Sequence, residues 1–154
     1  MATTSLYGPG IANAYGSTTA GNAPNIDFLS DTIYCALVTS AYTPDVDAHA
    51  FWSSIVANEL ATGNGYTTNG VLLTGTTITI VGASNRIDFD AADPSWTFVA
   101  SKSFQYAVIY DRTPATDATR PVIACIDFGS VQTLSTAFSI QFSSSPSAIW
   151  SFTY

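Results

Sequence analysis

Charge is what this sequence has least of. Only 4 Lys and Arg and 1 His occur in 154 residues, and charged side chains make up 10% of the chain, against a usual share of about 25%. The cations Arg86, Lys102, Arg112 and Arg120 are scattered, whereas nucleic-acid binding needs clustered Lys and Arg to displace counterions. With 11 acids and a net charge of −7, no nucleic-acid partner is expected. No stretch reaches the roughly 18 consecutive apolar residues of a membrane span, so no membrane partner is expected either. Residues 1–30 hold neither Lys nor Arg nor an apolar segment of the export type, which leaves no recognisable export signal. The 2 cysteines sit far apart in apolar runs, Cys35 in Ile33–Val38 and Cys125 in Val122–Ile126. They read as buried thiols acting as small hydrophobes, although a disulfide between them is not ruled out. With a single histidine they are too few for a structural zinc site.

What is there is apolar and hydroxylic. At 47% hydrophobic and 13% aromatic residues the chain is far from the composition of disorder, and its length suits one domain with one core. Its hydrophilic surface must be built largely from Ser, Thr, Asn and Gln. Interface cores are themselves poor in charge, so lasting contacts with other chains are expected.

Residues 1–26 stand apart. Gly8, Pro9, Gly10, Gly16, Gly21 and Pro24 punctuate a charge-free stretch whose large apolar residues are Leu6, Tyr7, Ile11 and Tyr15. The segment reads as an extended N-terminal arm that lays those four side chains on its own domain or on a neighbouring subunit, with 27–154 as a single domain. In that domain Ile33–Thr39 is a continuous apolar run, the mark of a strand buried on both faces. Phe51, Trp52, Ile55, Val56 and Leu60 recur at helical spacing after Asp45 and Asp47, either of which could cap an N-terminus. This predicts one short α-helix over about 47–60. Further strands are predicted at 71–73, 76–81, 86–90, 96–100, 105–110, 121–127, 138–142 and 149–153, separated by Gly, Asn-Gly and Asp-Pro turn signals. Many short strands with one helix imply an all-β, mainly antiparallel fold, a β-sandwich or jelly-roll-like architecture.

Chemistry-bearing constellations are sparse. Asp45, Asp47 and His49 alternate at the start of the predicted helix and could ligate an ion, but they lack the Gly and distal Glu of a calcium loop. Capping is the simpler reason for the acids. Asp88, Asp90 and Asp93 form a second acidic group; Asp88 and Asp90 fall on one strand face, read as solvated, although paired carboxylates also serve glycosidases. No nucleophile elbow and no phosphate loop occur. No catalytic residue, metal or cofactor is expected. Trp150, Phe152 and Tyr154 alternate in the last strand and read as core closure or oligomer packing. Trp96, after the Asp93-Pro94 turn, is the one aromatic placed to face a ligand, and with Asp88, Asp90 and Asp93 it defines an alternative glycan- or receptor-binding surface.

A series of motifs runs through most of the domain: Ala36-Leu37-Val38-Thr39-Ser40-Ala41-Tyr42-Thr43-Pro44, Asn58-Glu59-Leu60, Gly65-Tyr66-Thr67, Leu73-Thr74-Gly75, Phe89–Trp96, Tyr106–Asp111 and Ile126–Gly129. In this order they resemble a group of small virion proteins of tailed bacteriophages. The resemblance covers about 28–154 and is specific as a series, weak motif by motif. It implies a structural, non-enzymatic part of the particle: a capsid decoration or cement protein on the capsid exterior, partnered by the major capsid protein and by itself, naturally as a homotrimer. A place at the head–tail junction, in the tail or in a fibre is the alternative. The N-terminal arm is the least matched part, and its role rests on its side chains alone.

Overall fold

The apolar run at Ile33–Val38 finds a partner layer on each of its faces. The computed structural model of the chain describes residues 2–14, 25–142 and 148–154. In chain order, strand β1 (Thr3–Leu6) and helix α1 (Gly8–Ala14) come first. They are followed by β2 (Ile33–Val38), β3 (Val71–Leu72), β4 (Thr77–Val81), β5 (Arg86–Asp90), β6 (Ser95–Thr97), β7 (Lys102–Asp111), β8 (Val122–Leu134), β9 (Ala137–Ser139) and β10 (Trp150–Thr153). These form a five-stranded sheet in the order β1-β8-β7-β2-β3, a three-stranded sheet β10-β5-β4 and a two-stranded ribbon β6-β9. All of their pairings are antiparallel. The fold is therefore all-β and sandwich-like.

The alternation of β2 explains the layers. Ile33, Cys35 and Leu37 turn to one core with Phe104, Ile109, Trp96 and Trp150, where the smaller sheets lie over the large one. Ala36 and Val38 turn to a second core with Trp52, Ile55, Tyr106, Val108 and Tyr110. There Trp52 stacks on Tyr110 with ring centroids 4.3 Å apart and planes at 6°. Cys35 and Cys125 belong to opposite cores and are free thiols, so the sheet itself keeps them from pairing.

The predicted helix over 47–60 is not a helix. Trp52, Ile55 and Leu60 are buried as their spacing suggested and Phe51 and Val56 half-buried, but the backbone makes only two 3-10 turns, Trp52–Ser54 and Val56–Asn58, separated by Ile55. The physical reason is competition from the rest of the chain. Trp52 N–H donates to the Arg120 carbonyl and Ser53 N–H to the Asp117 carbonyl, both at 2.9 Å; Thr39 N–H donates to Asn58, and Leu60 N–H to Leu37. Donors and acceptors committed to the 112–121 loop and to the β2 segment cannot close i to i−4 bonds. Asp45 does cap, although not a helix: its Oδ1 accepts from Asp47 and Ala48 N–H groups in a local turn.

The one α-helix among the described residues lies instead in the segment expected as an arm. Pro9 sits in its first turn, where a missing N–H costs nothing. Leu6 ends β1 opposite Ala124, and Tyr7, fully buried, continues the ladder by donating its N–H to Ile123. A Cβ on Gly10 would come within 2.0 Å of the Val122 carbonyl oxygen, so only glycine lets α1 lie this close to β8. Leu6 and Tyr7 are thus anchors on their own body, and Tyr7 is not free to touch another chain. Tyr15 lies outside the described residues.

Tyr7 holds this anchor through packing and a short polar chain. Its hydroxyl meets that of Tyr42 at 2.6 Å, and Tyr42 Oη meets His49 Nδ1 at 2.8 Å. Burial raises the Tyr7 hydroxyl pKa and pushes that of Tyr42 up to about 12, so both stay protonated donors at neutral pH. Replacing Tyr7 with Ala is expected to cost about 3–5 kcal/mol, the range for a buried aromatic, read by urea unfolding. Loss of protection of the β8 amides that face β1 should accompany it in hydrogen exchange.

Candidate functional site

The three-stranded sheet has two unlike faces, and their difference follows from alternation along β5. Arg86, Asp88 and Asp90 point one way, Ile87 and Phe89 the other. Register carries this to the neighbours: Phe89 pairs with Trp150 and Ile78, and Ile87 with Phe152 and Ile80. One face is thereby apolar along its whole width.

Only part of that apolar face is sealed. Phe89 stacks on Trp150 at 5.1 Å and 18°, and Phe28 meets both rings edge-on. Phe152 lies edge-on to Phe89 and is half-buried. Beyond them the cover ends: Ile78 is 41% exposed, Ile80 71% and the terminal Tyr154 67%. A cleft of about 410 Å³, lined among others by Ile11, Ile26, Phe28, Ile78 and Phe152, continues this face toward α1. Ile11, expected to contact a neighbour, is half-buried on that cleft. Large exposed apolar patches are commonly places of protein or membrane contact, which makes this face the candidate site. Sequence reasoning placed Trp150 and Phe152 in one strand, with Tyr154 falling just past its end, but missed Ile78 and Ile80. Their signal was the strict Thr-Ile alternation of 77–80, legible as a strand yet silent about which face would be covered.

The acidic groups are structural. Asp88, expected to be solvated, is 8% exposed, because Arg86 grips it with two bonds, Nε to Oδ1 at 2.5 Å and Nη2 to Oδ2 at 2.7 Å. Asp90 accepts from the N–H of Ala91, and Asp93 from the N–H of Phe142 at 2.8 Å. The three carboxylates therefore serve three separate local bonds. Trp96 is not ligand-facing: it is 5% exposed, stacked on Phe138 and part of the core. The turn before it and β9 opposite it fold the indole inward. Asp47 is exposed, and His49 is half-buried against Tyr42. Among the described residues no group of three or more His, Cys, Asp or Glu is placed to share an ion.

A half-buried acid that sequence reasoning did not single out as a site residue is Glu59. Its Oε1 accepts from the Tyr66 hydroxyl at 2.8 Å and from the Asn69 N–H, while Tyr66 Oη accepts from the N–H of Leu37. This chain ties loop 66–70 to the inner strand β2. Gly70 completes the approach: its φ is +75°, and a Cβ there would meet the Cys35 carbonyl oxygen at 2.0 Å. Burial raises the Glu59 carboxyl pKa, only partly offset by the Tyr66 and Asn69 bonds. The Arg86 guanidinium does the reverse to Asp88, lowering it.

No protein-family model, curated protein or solved structure matches this chain.

The two carboxylates give opposite pH signatures. Glu59, raised in the folded state, favours folding most at low pH, and that contribution is lost as pH rises through its folded pKa. Asp88, lowered, contributes at neutral pH, and its share is lost as pH falls through its folded pKa. Glu59→Gln keeps an oxygen acceptor and should remove the first slope in urea midpoints measured across the acidic range. Glu59→Ala strands two donors and should cost about 1–3 kcal/mol. Asp88→Asn should flatten the second slope.

Proposed function

We propose that the chain is a structural, non-enzymatic virion protein of a tailed bacteriophage. It acts as a decoration or cement protein that binds the major capsid protein on the outside of the shell. The observation that carries this reading is the exposed apolar half of the three-stranded sheet, Ile78, Ile80, Phe152 and Tyr154, in a chain with so little charge. Such a face is stabilised by burial, at about 25 cal/mol per Å² of apolar area removed from water. A repeating shell offers the same complementary surface at every copy. The resemblance of the motif series to small phage virion proteins is the ground for naming the particle, and the same proposal includes self-association, with a trimer as the natural unit on a shell.

Mechanically the role is adhesion. A rigid double-layered body presents the apolar face, and hydroxyl-rich surroundings leave few charges to desolvate on contact. Bound across neighbouring capsid subunits, many copies would oppose their separation.

Co-expression with the major capsid protein of its own particle, followed by sedimentation of the assembled shells, tests this. The chain is expected to travel with the shells, and Tyr154→Ser to lower its occupancy severalfold. A wild-type chain that stays at the top of the gradient overturns the reading.

A further inference from the structure

Among the described residues, the free edge of the three-stranded sheet carries no lysine, proline, bulge or covering loop to keep it from pairing. β4 is bonded on one side to β5, and among the described residues nothing pairs with its other side. Natural edges are blunted by Lys, Pro, a bulge, an inward charge or a covering loop. Thr77-Ile78-Thr79-Ile80-Val81 has no charge and no proline. It runs against β5 without a register shift, and its isoleucines are open to solvent.

The strand is also its own complement. Laid antiparallel against a second copy and centred on Thr79, all of Thr77–Val81 is paired. Ile78 then stands opposite Ile80, Thr77 opposite Val81 and Thr79 opposite Thr79. Cross-strand pairs of β-branched residues stabilise a sheet. A slip of one residue would turn one copy's isoleucines to the polar face, so the apolar face selects the register. Charge does not oppose the contact: each copy carries −7, yet none of it lies in β4, and the nearby Arg86 and Asp88 neutralise each other.

We infer that β4 is a homotypic pairing edge. Two copies of this chain join antiparallel through Thr77–Val81, and the two three-stranded sheets fuse into one whose single apolar face carries both copies of Ile78 and Ile80. A strand of this length buries less than the roughly 800 Å² per partner of a standard interface. The pairing is therefore weak between free molecules and strong between copies held side by side, where effective concentration is high. It goes beyond the particle reading by fixing which strand meets which, and it needs no particle to be observed.

A cysteine at the two-fold reads this geometry directly. Thr79 is exposed, and facing Cα atoms of an antiparallel pair lie about 4.5–5.5 Å apart, within disulfide reach of about 4.4–6.8 Å. The native Cys35 and Cys125 are buried and do not compete. Under copper-phenanthroline oxidation, Thr79→Cys is expected to form covalent dimer roughly tenfold faster than Val99→Cys, an exposed position on an unrelated loop. Adding Ile80→Lys, which places an edge charge at a solvent-exposed position, should bring the rate down to that of Val99→Cys. Equal rates for the two single cysteines, or no effect of Ile80→Lys with native circular dichroism retained, overturns the inference. Either result leaves shell binding to be judged by its own sedimentation test.

Discussion

Pairing of β7 with β2 on one side and β8 on the other is the constraint on which the rest of the molecule depends. From Tyr106 to Asp111 every residue of β7 is buried, so the centre of this sheet has no solvent face and both of its sides are covered there by the rest of the chain. One side takes the smaller sheets and Phe28; the other takes Tyr7, Tyr42, Trp52 and Ile55. Charges contribute little to this arrangement. Two ion pairs occur among the described residues, Arg86–Asp88 and Arg120–Asp117, and each joins residues only two or three positions apart, so neither ties distant parts of the fold together. A body held by apolar burial and backbone ladders can do without a charged surface.

The covering layer overreaches what it covers. The three-stranded sheet seals its core with Phe89 and Trp150, then extends β4 and the end of β10 beyond it. The same alternation that builds the core, carried outward, leaves Ile78 and Ile80 facing water. In a chain with ordinary charge density such an overhang would be flanked by Lys or Glu. Here it is flanked by threonines, and the adhesive role proposed for the molecule rests on this overhang.

What could be read from the sequence tracks how local the deciding forces are. β2 was legible because burial on both faces writes an unbroken apolar run, and β5 because burial on one face writes an alternation. The 51–60 stretch showed the correct buried residues and the wrong backbone, since the bonds from Trp52, Ser53 and Leu60 to distant segments have no signature in the local pattern. β1 and α1 were invisible for a related reason. Thr3–Ser5 are exposed edge residues, and the helix that follows depends on Gly10 fitting against β8, a contact separated by most of the chain. Trp96 was misread because a turn residue pair such as Asp93-Pro94 sets a bend without stating which way the next indole points. Glu59 entered the sequence reading only as part of the Asn58-Glu59-Leu60 motif, with no hint of its role: that lies in reaching Tyr66 and Asn69, which only the folded loop brings to it.

Association is the claim that the fold, the poverty of charge and the uncovered face share. Sedimentation-velocity measurement of the wild-type chain, from about 1 μM to about 1 mM to bracket a weak interface, addresses it with no particle and no substitution. The account predicts a weight-average mass that climbs with concentration above that of the 16.2 kDa chain. A chain that sediments as a single monomeric species throughout would contradict it.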